Sequence, residues 1–121
     1  KTMDIKRVIF VDNISDIDFS NVGMHWTKSM DYVHTGGGQN GFSKGRFRVE
    51  FIAESFSGAI NSEATAESNN NFPKEQEVIL DANQSFDCMV SIMDEVENYE
   101  VEFEEYTINT GTRCDQWVNN F

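Results

Sequence analysis

One proline, two cysteines and two histidines are all that the 121 residues hold of three types that often announce a fold or a chemistry. Cys88 and Cys114 supply neither a disulfide framework nor the paired Cys-x-x-Cys units of a zinc site. His25 and His34 are too few for a histidine-rich metal centre, and Asp12, Asp16 and Asp18 lack the glycine and closing glutamate of a calcium loop. No metal is expected. Cations are scarce as well: nine Lys and Arg stand against 21 Asp and Glu, a formal net charge of −12. Nucleic-acid affinity comes chiefly from cations that displace condensed counterions, so direct DNA or RNA binding is set aside. No apolar run approaches the roughly 20 residues that span a bilayer, and no signal peptide is visible. A soluble, cytoplasmic protein from a reducing compartment is expected, with no membrane partner.

What the chain does hold is bulky apolar surface: ten Phe, two Trp and three Tyr within a hydrophobic share of 39%. That is enough to offset the entropy of ordering one compact domain over residues 1–121, a length too short for two. There is no repeat or coiled coil. Residues 4–12 are rich in β-branched side chains and end in Asp12-Asn13, which predicts a central or near-central strand running into a turn. A second short strand is expected over 22–27, with Thr27 as N-cap of a short helix over 28–34. Gly36-Gly37-Gly38 lacks the order of a phosphate loop and reads as a flexible connection. In 46–54, Phe47, Val49 and Phe51 alternate against Arg46, Arg48 and Glu50, the period of a half-buried strand.

Residues 55–73 read as a long loop with one helical turn around 59–66. Strands then return over 77–80, 85–93 and 99–106, and the short 94–98 connection predicts an antiparallel hairpin. In the last strand Tyr99, Val101 and Phe103 are expected inward and Glu100, Glu102 and Glu104 outward. Ile108, Trp117 and Phe121 could form a closing strand, and the last two offer apolar surface without fixing an oligomeric state. The fold class is mainly β (α+β), as two packed antiparallel or mixed sheets with few short helices.

The order of chemistry-bearing residues is Arg7 on an early strand, His25-Trp26-Thr27 on a second, a long polar loop, and Glu75-Gln76-Glu77 entering an apolar strand with Phe86 shortly after. Taken singly, each has a plain reading. Glu-x-Glu arises readily in so acidic a chain, Arg7 beside Lys6 makes an exposed basic pair, His25 is a satisfied structural histidine, and Trp26 is core. Taken in order, they resemble the mono-ADP-ribosyltransferases of the arginine, Ser-Thr-Ser, Glu-x-Glu class, and particularly the small phage-encoded members that carry His-Trp-Thr in the second motif. The resemblance spans roughly residues 6–105.

The resemblance implies an ADP-ribosyltransferase-like fold and NAD as substrate. Glu77 would bond the ribose hydroxyl and stabilise oxocarbenium charge, and Glu75 would polarise an arginine acceptor on a protein target. It likewise implies that Arg7 contacts the NAD phosphates, Thr27 braces Glu77, and Trp26 walls the nicotinamide pocket beside His25. His25-Trp26-Thr27 departs from the Ser-Thr-Ser run. The family's leading helices do not precede Arg7 and the chain opens on Lys1, so a shortened or processed N-terminus is expected. A phage-encoded enzyme of this kind would work in the host cytoplasm. The competing reading is a non-enzymatic acidic β domain, an inhibitor or virion or assembly component, that binds a basic protein partner.

Overall fold

A computed structural model describes residues 2–31, 45–71, 73 and 76–112. The described strands form one antiparallel six-stranded sheet: β1 (Met3–Val11), β2 (His25–Thr27), β3 (Phe47–Phe56), β4 (Glu77–Ile79), β5 (Ser85–Asp94) and β6 (Tyr99–Asn109). Their spatial order is β4-β2-β1-β3-β5-β6, so the β-branched opening segment is central, as its composition predicts. Among the described residues a single α-helix, α1 (Ser62–Asn71), packs against β4, and a 3-10 turn lies at Ile14–Asp16.

Strand alternation sorts the sheet into two unlike faces. Ile5, Ile9, Val49, Phe51, Ala53, Val90 and Ile92 share the core side with Trp26 and Val78. Each large side chain so buried is worth about 1.5–3 kcal/mol. The covering layer is the 12–24 segment, which places Ile17 and Val22 in the core. Phe19 of this segment stacks on Tyr106 at 4.4 Å between ring centroids. Val22 and Gly23 donate their N–H groups to the carbonyl oxygens of Asn109 and Thr110, each at 2.9 Å. Among the described residues there is therefore one sheet, and the expectation of two packed sheets is corrected. The long strands β1, β3, β5 and β6 pair side by side, and an irregular strap takes the place of a second sheet.

The predicted hairpin is present, its register fixed by Asp94. That carboxylate accepts the N–H groups of Val96 and Glu97 at 2.9 and 3.0 Å, while Asn98 turns the chain at φ 60°. The facing within β6 differs from expectation. Tyr99 and Phe103 are exposed, Val101 alone of that trio packs on the core, and the inward residues are Tyr106 and Ile108 opposite Cys88 and Phe86. Ile108 thus belongs to β6 and does not open another strand. The rest of the expected closing strand, with Trp117 and Phe121, lies outside the described residues, as do Cys114, the triple-glycine run and His34.

The 28–34 helix is not seen in its described part, which is bend and turn through Asp31. In the polar loop, α1 is a full helix where only one turn was expected. Asn61 caps it, its side-chain oxygen accepting the Ala64 N–H at 3.0 Å. The helix buries no side chain, so it carries no apolar stripe by which its length could be read. No helix among the described residues is long and apolar enough to cross a membrane.

Candidate functional site

β2 and β4 are three-residue strands paired in register, Thr27 with Glu77, Trp26 with Val78 and His25 with Ile79. Because side chains alternate, Val78 and Trp26 go to the core, whereas Glu77, His25 and Thr27 share the opposite face. Leu80, one residue beyond β4, anchors the strand: its N–H donates to the Met24 carbonyl at 2.8 Å and its side chain is buried. The apolar run after Glu77 that marked the motif in the sequence is what holds this carboxylate in place.

Glu77 is 9% exposed and bonded through both oxygens. Nδ1 of His25 donates to Oε2 at 2.6 Å, and the Ser68 hydroxyl donates to Oε1. Burial alone works against its ionised form. The hydrogen bonds from His25 and Ser68, together with the charges of His25 and Arg7, outweigh that penalty and hold the carboxyl below its ordinary value. The site therefore presents an oriented anion near the end of the sheet, able to accept a further hydroxyl hydrogen or to stabilise developing positive charge.

The remaining predicted residues are distributed unequally around this carboxylate. Arg7 pairs with Phe51 and so lies on the core side of β1. There Nε donates to the Val22 carbonyl and Nη1 to the His25 carbonyl, both at 2.8 Å. With 5% exposure it braces the backbone of β2 from beneath, so the plain reading of Lys6 and Arg7 as an exposed basic pair is corrected to two buried cations. Trp26 is 2% exposed, donates its indole N–H to the Gly23 carbonyl at 3.0 Å and packs against Phe51 and Phe86. It is a core residue on the face opposite Glu77, because it sits between two residues that take the other face.

Thr27 flanks Glu77, but its Oγ1 accepts the Ser29 N–H at 3.0 Å, and the hydroxyl on Oε1 of Glu77 comes from Ser68. Glu75 lies outside the described residues. Gln76 has φ 45°, so the extended geometry of β4 begins at Glu77. Ser68 is the residue the sequence reading missed. Its only signal is placement on a polar segment shortly before Glu77.

Lys6 continues the row on the site face, paired with Thr27, its ammonium 3.3 Å from Glu50 and bonded to the Met30 carbonyl at 3.0 Å. A separate open groove of about 330 Å³, lined by residues 53–58 and 84–87, contains none of the predicted site residues. No group of three or more His, Cys, Asp or Glu side chains among the described residues could hold a metal ion. Comparison with protein-family models, with curated proteins and with solved structures finds no match.

Proposed function

We propose that the chain is an NAD-dependent mono-ADP-ribosyltransferase that modifies a protein side chain, with arginine as acceptor, on an ADP-ribosyltransferase-like scaffold. The observation that carries the reading is the pairing of His25 with Glu77 across β2 and β4, which leaves an ionised carboxylate fixed on the non-core face. In the reaction the bond between nicotinamide and the ribose breaks with its electron pair leaving on nicotinamide. A guanidinium nitrogen of the target then bonds to the anomeric carbon and gives up a proton to water. Glu77 accepts a ribose hydroxyl hydrogen and stabilises the cationic ribose, and His25 keeps it oriented. Glu75 receives the acceptor, and Arg7 supports the strand that bears His25.

The test is calorimetric titration with NAD together with NAD consumption in the presence of arginine-bearing protein. Glu77→Gln keeps the shape of the side chain and is expected to lower turnover by about 10²-fold or more. Absence of both binding and consumption at millimolar NAD would sink the enzyme reading.

A second reading is favoured by β6, an edge strand on which Glu100, Glu104 and Glu105 are exposed beside Tyr99 and Phe103. On that reading the domain binds a basic protein and has no catalytic role. Its affinity falls with added salt and with Glu→Gln changes on β6, and is indifferent to Glu77→Gln.

A further inference from the structure

α1 is unusual in having no buried residue, yet it sits against β4. Its attachments are polar and specific. The Thr65 hydroxyl accepts the Ile79 N–H at 2.9 Å, and Nδ2 of Asn69 donates to the Glu77 carbonyl at 3.0 Å. The Asn61 N–H, at the helix cap, donates to the Ile79 carbonyl at 2.8 Å. These groups take up backbone positions of β4 on the side away from β2, where a further strand would otherwise pair. Thr65, Ser68 and Asn69 are spaced so as to share one helix face. With Thr65 and Asn69 fixed on the backbone of Ile79 and Glu77, the Ser68 hydroxyl is carried onto the Glu77 carboxylate.

We infer that α1 is a polar clamp and that Ser68 is a positioning residue, holding the Glu77 carboxylate in its orientation and in its ionised form from the side opposite His25. The inference rests on the reading of Glu77 as the catalytic carboxylate. It explains why a helix with no apolar face is built here: its polar face is its packing face. The charged groups that act on Glu77 are His25 from β2 and Arg7 from β1, whereas α1 contributes a hydroxyl and an amide that do not titrate. Removing Ser68 therefore takes away one donor without changing any charge.

The experiment is carbon-detected NMR titration of the Glu77 carboxyl in the full chain, as wild type, Ser68→Ala and Ser68→Thr, alongside the pH dependence of kcat/KM for NAD consumption. Ser68→Ala is expected to move the Glu77 midpoint upward and carry the acid limb of kcat/KM in the same direction. At a pH on that limb the rate falls roughly tenfold, and Ser68→Thr restores both. Amide exchange of α1 is measured on the same samples. An unchanged Glu77 midpoint in Ser68→Ala, with α1 still protected, overturns the clamp. So does an equal upward shift in Ser68→Thr with its hydroxyl present and α1 protected, because the hydroxyl would then not be the operative group. If the wild type consumes no NAD while the midpoint shifts as stated, the transferase reading fails and the positioning of Glu77 by Ser68 stands.

Discussion

Lys6 and Arg7 are neighbours in sequence whose side chains lie on opposite faces of the sheet. Lys6 pairs with Ile52 and Thr27 on the site face and reaches Glu50, whereas Arg7 pairs with Phe51 and forks onto the carbonyls of Val22 and His25. Two adjacent cations of one basic pair thus have unrelated tasks. One belongs to a row of ionic side chains, the other to the backbone of the loop and strand that carry the site.

The two positions are expected to respond differently to loss of charge. Arg7→Met leaves the buried Val22 carbonyl short of a donor, at about 1–3 kcal/mol, and the part-buried His25 carbonyl as well, at less. Lys6→Met should cost less, because Glu50 retains Arg48 Nε at 3.1 Å. Urea unfolding of both variants checks the order. A Lys6→Met loss equal to or larger than that of Arg7→Met would contradict the assignment of Arg7 as the structural brace.

Acid stability is expected to depend on Asp94. Arg46 donates to it through Nε and Nη2, and with the N–H groups of Val96 and Glu97 this lowers its pKa from 3.8 to about 2. A carboxyl whose folded pKa lies below its unfolded one stabilises the fold fully above the unfolded value, and that contribution is lost as pH falls through the folded one. Unfolding midpoints should therefore decline as pH drops from about 4 toward about 2. Glu77, also lowered, acts with the same sign. In Asp94→Asn the protein is weaker at neutral pH and the decline flattens; an unchanged slope would show that other groups dominate.

Cys88 should be inert while the protein is folded. It is 3% exposed, and burial, with the nearby charges of Asp87 and Glu105, pushes its thiol up to about 12, so almost no thiolate forms near neutrality. In a Cys114→Ser background, thiol-reactive dye should label Cys88 only in denaturant, with the midpoint of the unfolding curve. Rapid labelling of the native protein would contradict the placement of β5.

The residues that alternate strongly were legible from sequence, and those whose environment is set by distant segments were not. Phe47, Val49 and Phe51 announce β3, and the short 94–98 link announces the β5–β6 hairpin. The facing of β6 was not legible because an edge strand leaves aromatic residues exposed; Phe103 retains 57% of its surface. The single sheet was hidden because the covering layer is an irregular strap with no period of its own. For the site, Glu77 and His25 were visible as motif members, and alternation along His25-Trp26-Thr27 already implies that Trp26 faces away from its neighbours. Ser68 had no comparable signal, because its position depends on where Asn61, Thr65 and Asn69 meet β4 in space.

β2 and β4 have three residues each, whereas β5 and β6 pair over ten registered positions. Cooperative opening need not involve a whole domain, and its cost follows the contacts that must be broken. The site-bearing end can therefore exchange its amides through a small local opening, while amides between β5 and β6 wait for global unfolding. The geometry around Glu77 and bulk stability are consequently separable quantities in this chain: the first resides in the short β2–β4 pair, and the second in the long hairpin at the far edge.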